Sequence, residues 1–208
     1  MTWANRVPLL FSPPQQRYGG VSGHIVRESF AELVDVMPTL CDLAGIPVPP
    51  TCSTPAMSKG NSSCTEGASL KPLITQGPAA PSAGSDAFAA AFGQWPGKGD
   101  KMGYNIFTYV TSLCGSEPSL VRYTEWVTYD KKKAAPIWDE VAGVELYNRT
   151  ADPNENQNIA ARPGVADVVR ELSRRLRAGW RGKVDASRLS SSWAVDYSAL
   201  AKVARRDG

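Results

Sequence analysis

Residues 145–160 constrain the fold of this chain more than any other segment, because strand-forming side chains are followed at once by helix-start chemistry. The apolar and aromatic side chains at 144–147 suit a half-buried strand. Asp152 can cap the amide groups of the next turn, Pro153 has the φ angle wanted at a first helical position, and Glu155 lies three residues after the cap. The pattern predicts a strand that runs into a helix beginning at Asp152.

Strand-like composition recurs through the C-terminal half of the chain, at residues 87–92, 104–110, 120–129 and 144–147. Aromatic and β-branched residues alternate with polar ones at 123–129, which is typical of a sheet with one covered face. A helix with apolar residues at helical spacing can provide the cover. These residues are Val165, Val168, Val169, Leu172, Leu176 and Trp180. We therefore predict a four-stranded antiparallel sheet packed by a C-terminal helix, an α+β arrangement.

The first 50 residues are expected to belong to a larger α/β core. Residues 7–11 are short and apolar enough for a strand buried on both faces. A helix is predicted at 35–45, with an aspartate as its cap and a glycine as its stop. Ser29 with Glu32 offers an alternative capping box and an earlier start, but Pro38 would then lie inside the helix, at a cost of about 3 kcal/mol.

Prolines interrupt any strand pairing between residues 46 and 86, so this stretch is predicted to be mostly loop, with one helical turn near 69–73. The predicted organisation is a core segment, a loop and linker, a C-terminal subdomain and a tail. Their bounds are 1–50, 51–86, 87–182 and 183–208.

Several classes of protein are disfavoured by simple features of the chain. No run of about 18 apolar residues exists, so no membrane span is expected. The first residues lack the basic start and apolar stretch of a signal peptide. His24, the single histidine, is expected to be a surface residue, because one imidazole without a carboxylate cluster makes a poor acid–base or metal site. The glycines at 19–23 fit neither a nucleophile elbow nor a phosphate loop.

Five motifs in a fixed order resemble the sulfatase family, part of the alkaline-phosphatase-like superfamily. Residues 6–11 are similar to the strand that follows the catalytic core, and 35–40 read Asp-x-x-Pro-Thr-Leu as in the family's helix. Residues 145–158 read Glu-Leu-Tyr and then Asp-Pro-x-Glu-x-x-Asn. Residues 101–104 and 122–127 are similar to the subgroup of iduronate-2-sulfatase-like proteins. The resemblance implies the C-terminal part of a sulfatase fold.

The resemblance implies hydrolysis of sulfate esters by the complete enzyme. Its formylglycine nucleophile comes from a Cys-x-Pro-Ser-x-x-Arg-like motif, and Ca²⁺ is held by aspartate-containing pairs. None of the cysteines, at 41, 52, 64 and 114, has that context. We therefore expect no catalytic residue and no metal ligand in this chain, and a missing N-terminal sulfatase core as its partner.

Substrate selection is the contribution that the resemblance leaves to this region. Lys98 and Lys101 lie in the polar loop 94–101, where the similar proteins carry basic residues. They are candidates for contacts with a carboxylate or sulfate of a glycosaminoglycan or another sulfated sugar. Two solvated loop lysines are an equally good interpretation. Phe107 stands where the subgroup usually has an arginine, which weakens a narrower choice of substrate.

Cys52 and Cys64 lie in an aperiodic loop that a crosslink would restrain, although two free thiols in a reducing compartment remain an alternative. The subgroup carries a cysteine pair at the matching place, so the resemblance implies a disulfide and a lysosomal or secreted protein. Asn61 and Asn148 begin N-glycosylation sequons.

A rival interpretation is a non-catalytic module that binds polyanions. The chain has a net charge of +3, and its C-terminal region is rich in basic residues. These are Arg170, Arg174, Arg175, Arg177, Arg181, Lys183 and Arg188. Helical spacing puts most of them opposite the apolar stripe, so a solvated face is the simpler interpretation. No nucleic-acid partner is expected.

Overall fold

The computed structural model describes residues 7–12, 29–52, 63–75, 90–111, 113 and 118–179. Within these ranges the chain forms a 3-10 turn, three α-helices and four strands. In chain order they are the turn Leu33–Asp35, α1 Val36–Ala44, α2 Lys71–Thr75, β1 Ala90–Pro96, β2 Lys101–Val110, β3 Ser119–Asp130, β4 Ala135–Asn148 and α3 Ala166–Gly179. None of the helices in the described ranges combines the length and the apolar character that crossing a membrane requires.

The strands form one antiparallel sheet in the order β1-β2-β3-β4, which confirms the predicted architecture. Its register places Ile106 opposite Tyr123, and Tyr123 opposite Leu146. β4 begins at Ala135 rather than at residue 144, and the β3–β4 register shifts on either side of Val127. The sheet is therefore larger than predicted, and its β3–β4 hairpin is bulged.

Helix α3 covers one face of the sheet through the predicted apolar stripe. Val168, Leu172 and Leu176 have exposures of 3%, 1% and 0%. Trp180, the last residue of the predicted stripe, lies outside the described residues. Full burial of such side chains contributes about 1.5–3 kcal/mol each. The sheet side of this core comprises Tyr104, Ile106, Val110, Val121, Tyr123, Val127 and Leu146.

Helix α1 begins one residue after Asp35 and ends at Gly45, whose φ of 75° gives the left-handed stop. The reciprocal capping box joins Glu32 and Asp35. It differs from both predicted caps, because it does not involve Ser29 and because the Asp35 side chain does not bond to the amides of α1. Pro38 lies in the first turn of α1, where a missing amide hydrogen removes no helical bond.

Polar contacts hold α1 against α2 and the residues just before it. The Thr39 hydroxyl donates to the carbonyl oxygen of Asp35 at 2.6 Å and accepts the amide of Leu70 at 2.8 Å. The Lys71 ammonium lies 2.7 Å from the Asp42 carboxylate. Since the Glu32 carboxylate accepts the Phe92 amide at 3.0 Å, this layer also contacts β1, the edge strand of the sheet.

Two predicted elements are wrong. No strand forms within residues 7–12, because no described strand pairs with them, and Leu10 is 85% exposed. No helix follows Asp152, because its carboxylate accepts the Gln157 amide at 2.9 Å instead of capping a helical turn, and Glu155 adopts a left-handed φ of 58°. The segment after Asp152 follows the contact of Glu155 with the distant Arg122 rather than its local propensity.

Cys52 and Cys64 form a disulfide with a Cα–Cα distance of 5.0 Å. Thr51 and Thr65 form a parallel bridge beside it. The disulfide and the bridge together close the loop whose residues 53–62 lie outside the described ranges.

Candidate substrate-binding turn and the charged cluster behind it

Lys98 lies in the β1–β2 turn, and Lys101 is the first residue of β2, directly after that turn. The Gly97 amide donates to the carbonyl oxygen of Lys101 at 2.9 Å, and the Lys101 amide donates to that of Lys98 at 3.3 Å. Gly99 has a φ of 73°, a conformation that favours glycine, and no atom lies within 4 Å of the position its Cβ would occupy. The turn is tight, and the Lys98 side chain projects from it into solvent.

The two lysines differ in how freely they can meet a ligand. Lys101 Nζ donates to Thr128 Oγ1 at 2.6 Å and lies 3.3 Å from a carboxylate oxygen of Asp100. Lys98 forms no side-chain ion pair within the described part of the chain. Lys98 is therefore the more available cation, whereas Lys101 must exchange existing contacts to bind an anion.

The indole of Trp126 supports this turn from one face of the sheet. A Cβ added at Gly97 or at Gly103 would lie only 2.9 Å from Trp126 Cζ3, so the ring needs glycine at both positions. Trp126 Nε1 donates to Glu145 Oε1 at 2.9 Å, which fixes the ring. The position of the lysine-bearing turn thus depends on a neighbouring carboxylate.

Glu145 belongs to a charged cluster centred on Arg122, whose side chain is 3% exposed. The Arg122 guanidinium donates from Nε and Nη2 to the two Glu155 oxygens at 3.0 and 2.8 Å. Its Nη1 donates to Thr124 Oγ1 at 2.7 Å and to Glu145 Oε2 at 3.2 Å. Arg149 Nε lies 3.3 Å from Glu155 Oε1. The left-handed turn at Glu155 is explained by these ion pairs.

The cluster is built for support rather than for ligand binding. Four of the five N–H groups of the Arg122 guanidinium donate to the protein, and the side chain is 3% exposed, so little of it can reach a sulfate. Burial raises the pKa of the neighbouring Tyr147, as does the negative charge of Glu145. The Phe107 ring lies opposite Arg122 in the register, with the Arg149 guanidinium 5.9 Å from its centre. Position 107 therefore borders the cluster.

A second buried carboxylate lies on the opposite face of the sheet, beneath α3. Glu125 is 1% exposed, accepts the Tyr123 hydroxyl at 2.8 Å and accepts Arg177 Nη2 at 2.9 Å. Burial raises the pKa of Tyr123, and the negative charge of Glu125 acts in the same direction. The Arg177 guanidinium also lies over the Trp138 ring, 5.5 Å from its centre. This arrangement fastens the last turn of α3 to the sheet.

Three of the four arginines of α3, Arg170, Arg174 and Arg177, are exposed, as the spacing predicts for most of the basic residues, and Arg175 is buried. Arg170 pairs with Asp167, and Arg174 pairs with Glu171 at 2.7 Å. Arg175 is only 6% exposed and donates to Thr108 Oγ1 at 3.2 Å. The polyanion-binding interpretation requires arginines that are available to a ligand. These contacts and the Arg177–Glu125 pair instead give the α3 arginines partners within the protein. Arg181, Lys183 and Arg188 lie outside the described residues.

The remaining predicted sites are only partly placed. Asn61 lies outside the described residues, and its glycosylation stays a prediction. Asn148 is 7% exposed, and its Oδ1 accepts the amides of Thr150 and Ala151 at 3.1 Å, so the folded strand disfavours a glycan there. Across the described ranges, no group of three His, Cys, Asp or Glu side chains could hold a metal ion.

Sequence reasoning missed the cluster of Arg122, Glu145 and Glu155 as a physical unit. Arg122 lies in one recognised motif and Glu145 and Glu155 lie in another, so their opposite charges are the signal that could have paired them. It also passed over Lys131, Lys132 and Lys133, which follow β3 directly. A run of lysines between two strands is a direct signal for a basic hairpin turn.

Comparison with known proteins finds similarity to a sulfatase. The findings support a sulfatase C-terminal region, although no family model matches the chain. The curated relative that carries this assignment is Iduronate 2-sulfatase of Mus musculus, 31% identical over 150 residues. The match covers 64% of this chain and 25% of the relative, so the chain spans about a quarter of that protein.

One solved structure is also similar in part, that of BT4656 in complex with its substrate D-glucosamine-2-N,6-O-disulfate. The sequences are 24% identical, and the TM-score is 0.42. The match covers 69% of this chain and 22% of BT4656.

Proposed function

We propose that this chain acts as the substrate-selecting and structural C-terminal region of a sulfuric ester hydrolase for sulfated sugars, glycosaminoglycans among them. The observation that carries the proposal is the 31% identity to Iduronate 2-sulfatase over 150 residues. The Cys52–Cys64 disulfide is consistent with a lysosomal or secreted enzyme, since disulfides persist in oxidising compartments.

The reaction assigns different tasks to different parts of such an enzyme. Negative charge develops on the sulfate ester during hydrolysis, and fixed positive charge stabilises it most strongly in a site that excludes water. The proposal assigns the nucleophile and Ca²⁺ to the remainder of the enzyme. The described residues contain no cluster that fits a metal ion, so no step of the reaction is assigned to a metal here.

The β1–β2 turn is the proposed substrate contact of this region. Lys98 projects freely from it, and Lys101 can contribute if an anion replaces Thr128 and Asp100 as its partner. An exposed ion pair of this kind contributes up to about 1 kcal/mol. The turn is therefore proposed to select between substrates and to leave the chemical step unchanged.

A chimera tests the proposed function directly. The 150 matched residues of mouse Iduronate 2-sulfatase are replaced by those of this chain, and sulfate release is measured from a small aryl sulfate and from a sulfated uronic acid glycoside. We expect both substrates to be hydrolysed. A chimera that melts cooperatively and still hydrolyses neither substrate would refute the proposal.

Polyanion binding without catalysis is the second candidate function. The partnered arginines of α3 offer little to it, but exposed lysines at one end of the sheet favour it. Both candidate functions predict that the isolated chain binds a sulfated polysaccharide. Only the first predicts an active chimera, which separates them.

A further inference from the structure

Two hairpin turns lie side by side at one end of the sheet. The β1–β2 turn comprises residues 97–100, and the β3–β4 turn comprises residues 131–134. The Tyr129 amide donates to the carbonyl oxygen of Asp100 at 2.8 Å, and Lys101 is opposite Thr128 in the register. The centres of the hairpins are separated by two strand spacings, about 10 Å.

The β3–β4 turn presents three consecutive lysines, and all three are exposed. Asp130 Oδ1 accepts the backbone amides of Lys132 and Lys133 at 2.9 and 3.0 Å. These bonds, that of Lys133 foremost, hold the pKa of Asp130 below its usual value. Ala134 closes the turn with a φ of 49°. The backbone is thus fixed while the ammonium groups extend into solvent.

Positive charge exceeds negative charge across the two turns. We call the lysines of the two turns, together with the first residue of β2, the lysine end: Lys98, Lys101, Lys131, Lys132 and Lys133. The turn carboxylates Asp100 and Asp130 pair with Lys101 and Lys133 at 3.3 and 3.7 Å. The other three ammonium groups form no ion pair with any described residue. Two further exposed carboxylates, Asp139 and Glu140, lie outside the turns, in the bulged part of β4.

An aromatic ring lies beside these charges. Trp95 is 42% exposed and precedes the β1–β2 turn by two residues. Its flat apolar face suits the C–H face of a sugar ring. Binding of single-stranded nucleic acid generally uses several aromatic platforms and planar guanidinium groups, whereas this end offers one described exposed indole and compact ammonium groups.

We propose that the lysine end binds several successive sulfates of a linear sulfated polysaccharide, with a sugar ring against Trp95. The choice of a polysaccharide rests on the proposed function, and the new element is the role of Lys131, Lys132 and Lys133. Because the two turns are about 10 Å apart, a chain with sulfates on successive sugars can pair with more lysines of the two turns at once than one small sulfated sugar can. The lysine end selects polymers over monosaccharides.

The test compares two double variants of the full 208-residue chain on immobilised heparin, used as the sulfated polysaccharide, over a salt titration. K131A/K132A removes two cations of the lysine end, and R170A/R174A removes two exposed cations of α3. We expect K131A/K132A to weaken binding about tenfold at low salt and to reduce the salt slope by about 1.5, since each anion contact contributes about 0.7–0.9. The helix variant should bind within about twofold of wild type.

Competition experiments identify the ligand. Fully desulfated heparin should not compete, and a monosaccharide sulfate should compete only weakly. If single-stranded DNA or phosphatidylserine vesicles bind more tightly than heparin at equal salt, or if desulfated heparin competes equally, the polysaccharide assignment is wrong. Equal losses in the two double variants would show a diffuse charge effect and overturn the proposal.

The outcome is separable from that of the proposed function. An active chimera combined with wild-type heparin affinity of K131A/K132A refutes the lysine end and leaves the sulfatase proposal intact. An inactive but folded chimera, combined with heparin binding that depends on these lysines, refutes the sulfatase proposal and leaves the lysine end intact. The substituted lysines are exposed in a turn, so unchanged melting temperatures of the variants provide the folding control.

Discussion

At the scale of single residues, Arg122 connects more of the charged cluster than any other described side chain. It bridges Glu155 and Glu145 from β3, and its guanidinium lies 4.7 Å from the centre of the Tyr147 ring. Replacing it removes a positive charge between two partly or fully buried carboxylates. Breaking such a pair from one side is costly because the remaining charge stays desolvated.

We predict that R122A lowers the free energy of unfolding by about 3–5 kcal/mol in urea titrations followed by tryptophan fluorescence. R122K should recover only part of this loss, because an ammonium cannot make the paired bonds to Glu155. R170A, which removes an exposed cation, should stay within about 0.5 kcal/mol of wild type. A loss below about 1 kcal/mol in R122A would contradict the structural role of the cluster.

Lys98 and Lys101 should differ when each is replaced in the chimera. We predict that K98A raises KM for a sulfated saccharide about two- to fivefold, since an exposed ion pair is worth up to about 1 kcal/mol. K101A should have the smaller effect, because Lys101 Nζ already has Thr128 and Asp100 as partners. The kcat values and the aryl sulfate kinetics should not change, as for the control R170A. A fall in kcat would place these lysines in the chemical step.

At the scale of secondary-structure elements, the contact between Trp126 and the β1–β2 turn offers a matched pair of substitutions. G103A would place a methyl group 2.9 Å from the indole, whereas G143A would place one 3.8 Å from it. We predict a loss of about 1–3 kcal/mol for G103A and a loss below about 1 kcal/mol for G143A. Urea titration measures both losses, and equal losses would show that the ring does not support the turn.

The contact between α1 and α2 predicts a dependence of stability on pH. Hydrogen bonds from Lys71 and then Ser69 lower the pKa of Asp42 in the folded chain. A depressed folded pKa stabilises the fold above the unfolded value, about 3.9, and this contribution is lost as the pH falls through the folded pKa. As the pH is lowered below about 4, the urea concentration at the unfolding midpoint should therefore decrease more steeply for wild type than for D42N. Parallel pH profiles would show that the pair contributes nothing.

Local sequence patterns correctly predicted the strands and helices whose own apolar spacing marks the face that they bury. The alternation at 123–129 identified β3, and the spacing of Val168, Leu172 and Leu176 identified α3. The helix expected at Asp152 does not form, because Glu155 pairs with Arg122, 33 residues away. Local chemistry contains no information on such a pairing.

The candidate site divides in the same way. The glycines and lysines near residue 98 predicted a polar turn, and the structure places Lys98 in one and Lys101 directly after it. The bond from Lys101 to Thr128 depends on the register of β2 with β3, which composition does not encode. The first half of β4 escaped prediction because Asp139 and Glu140 interrupt its alternation where the ladder bulges.

At the scale of the whole molecule, the proposal assigns catalysis to parts that this chain does not supply. We predict that the purified 208-residue chain does not hydrolyse an aryl sulfate. The measurement is a fluorogenic assay, with a heat-treated sample and a mock purification as controls. Turnover that copurifies with the chain and is lost on its removal would refute this division of labour.

The disulfide affects how the protein must be handled. Cys52 and Cys64 are 12 positions apart, and a crosslink over a loop of that size is worth about 3 kcal/mol in the chain-entropy model. A thiol reductant added to a purification buffer would remove that contribution. Material from a bacterial cytosol and material from a secretory host are therefore expected to differ in shelf life, although their sequences are identical.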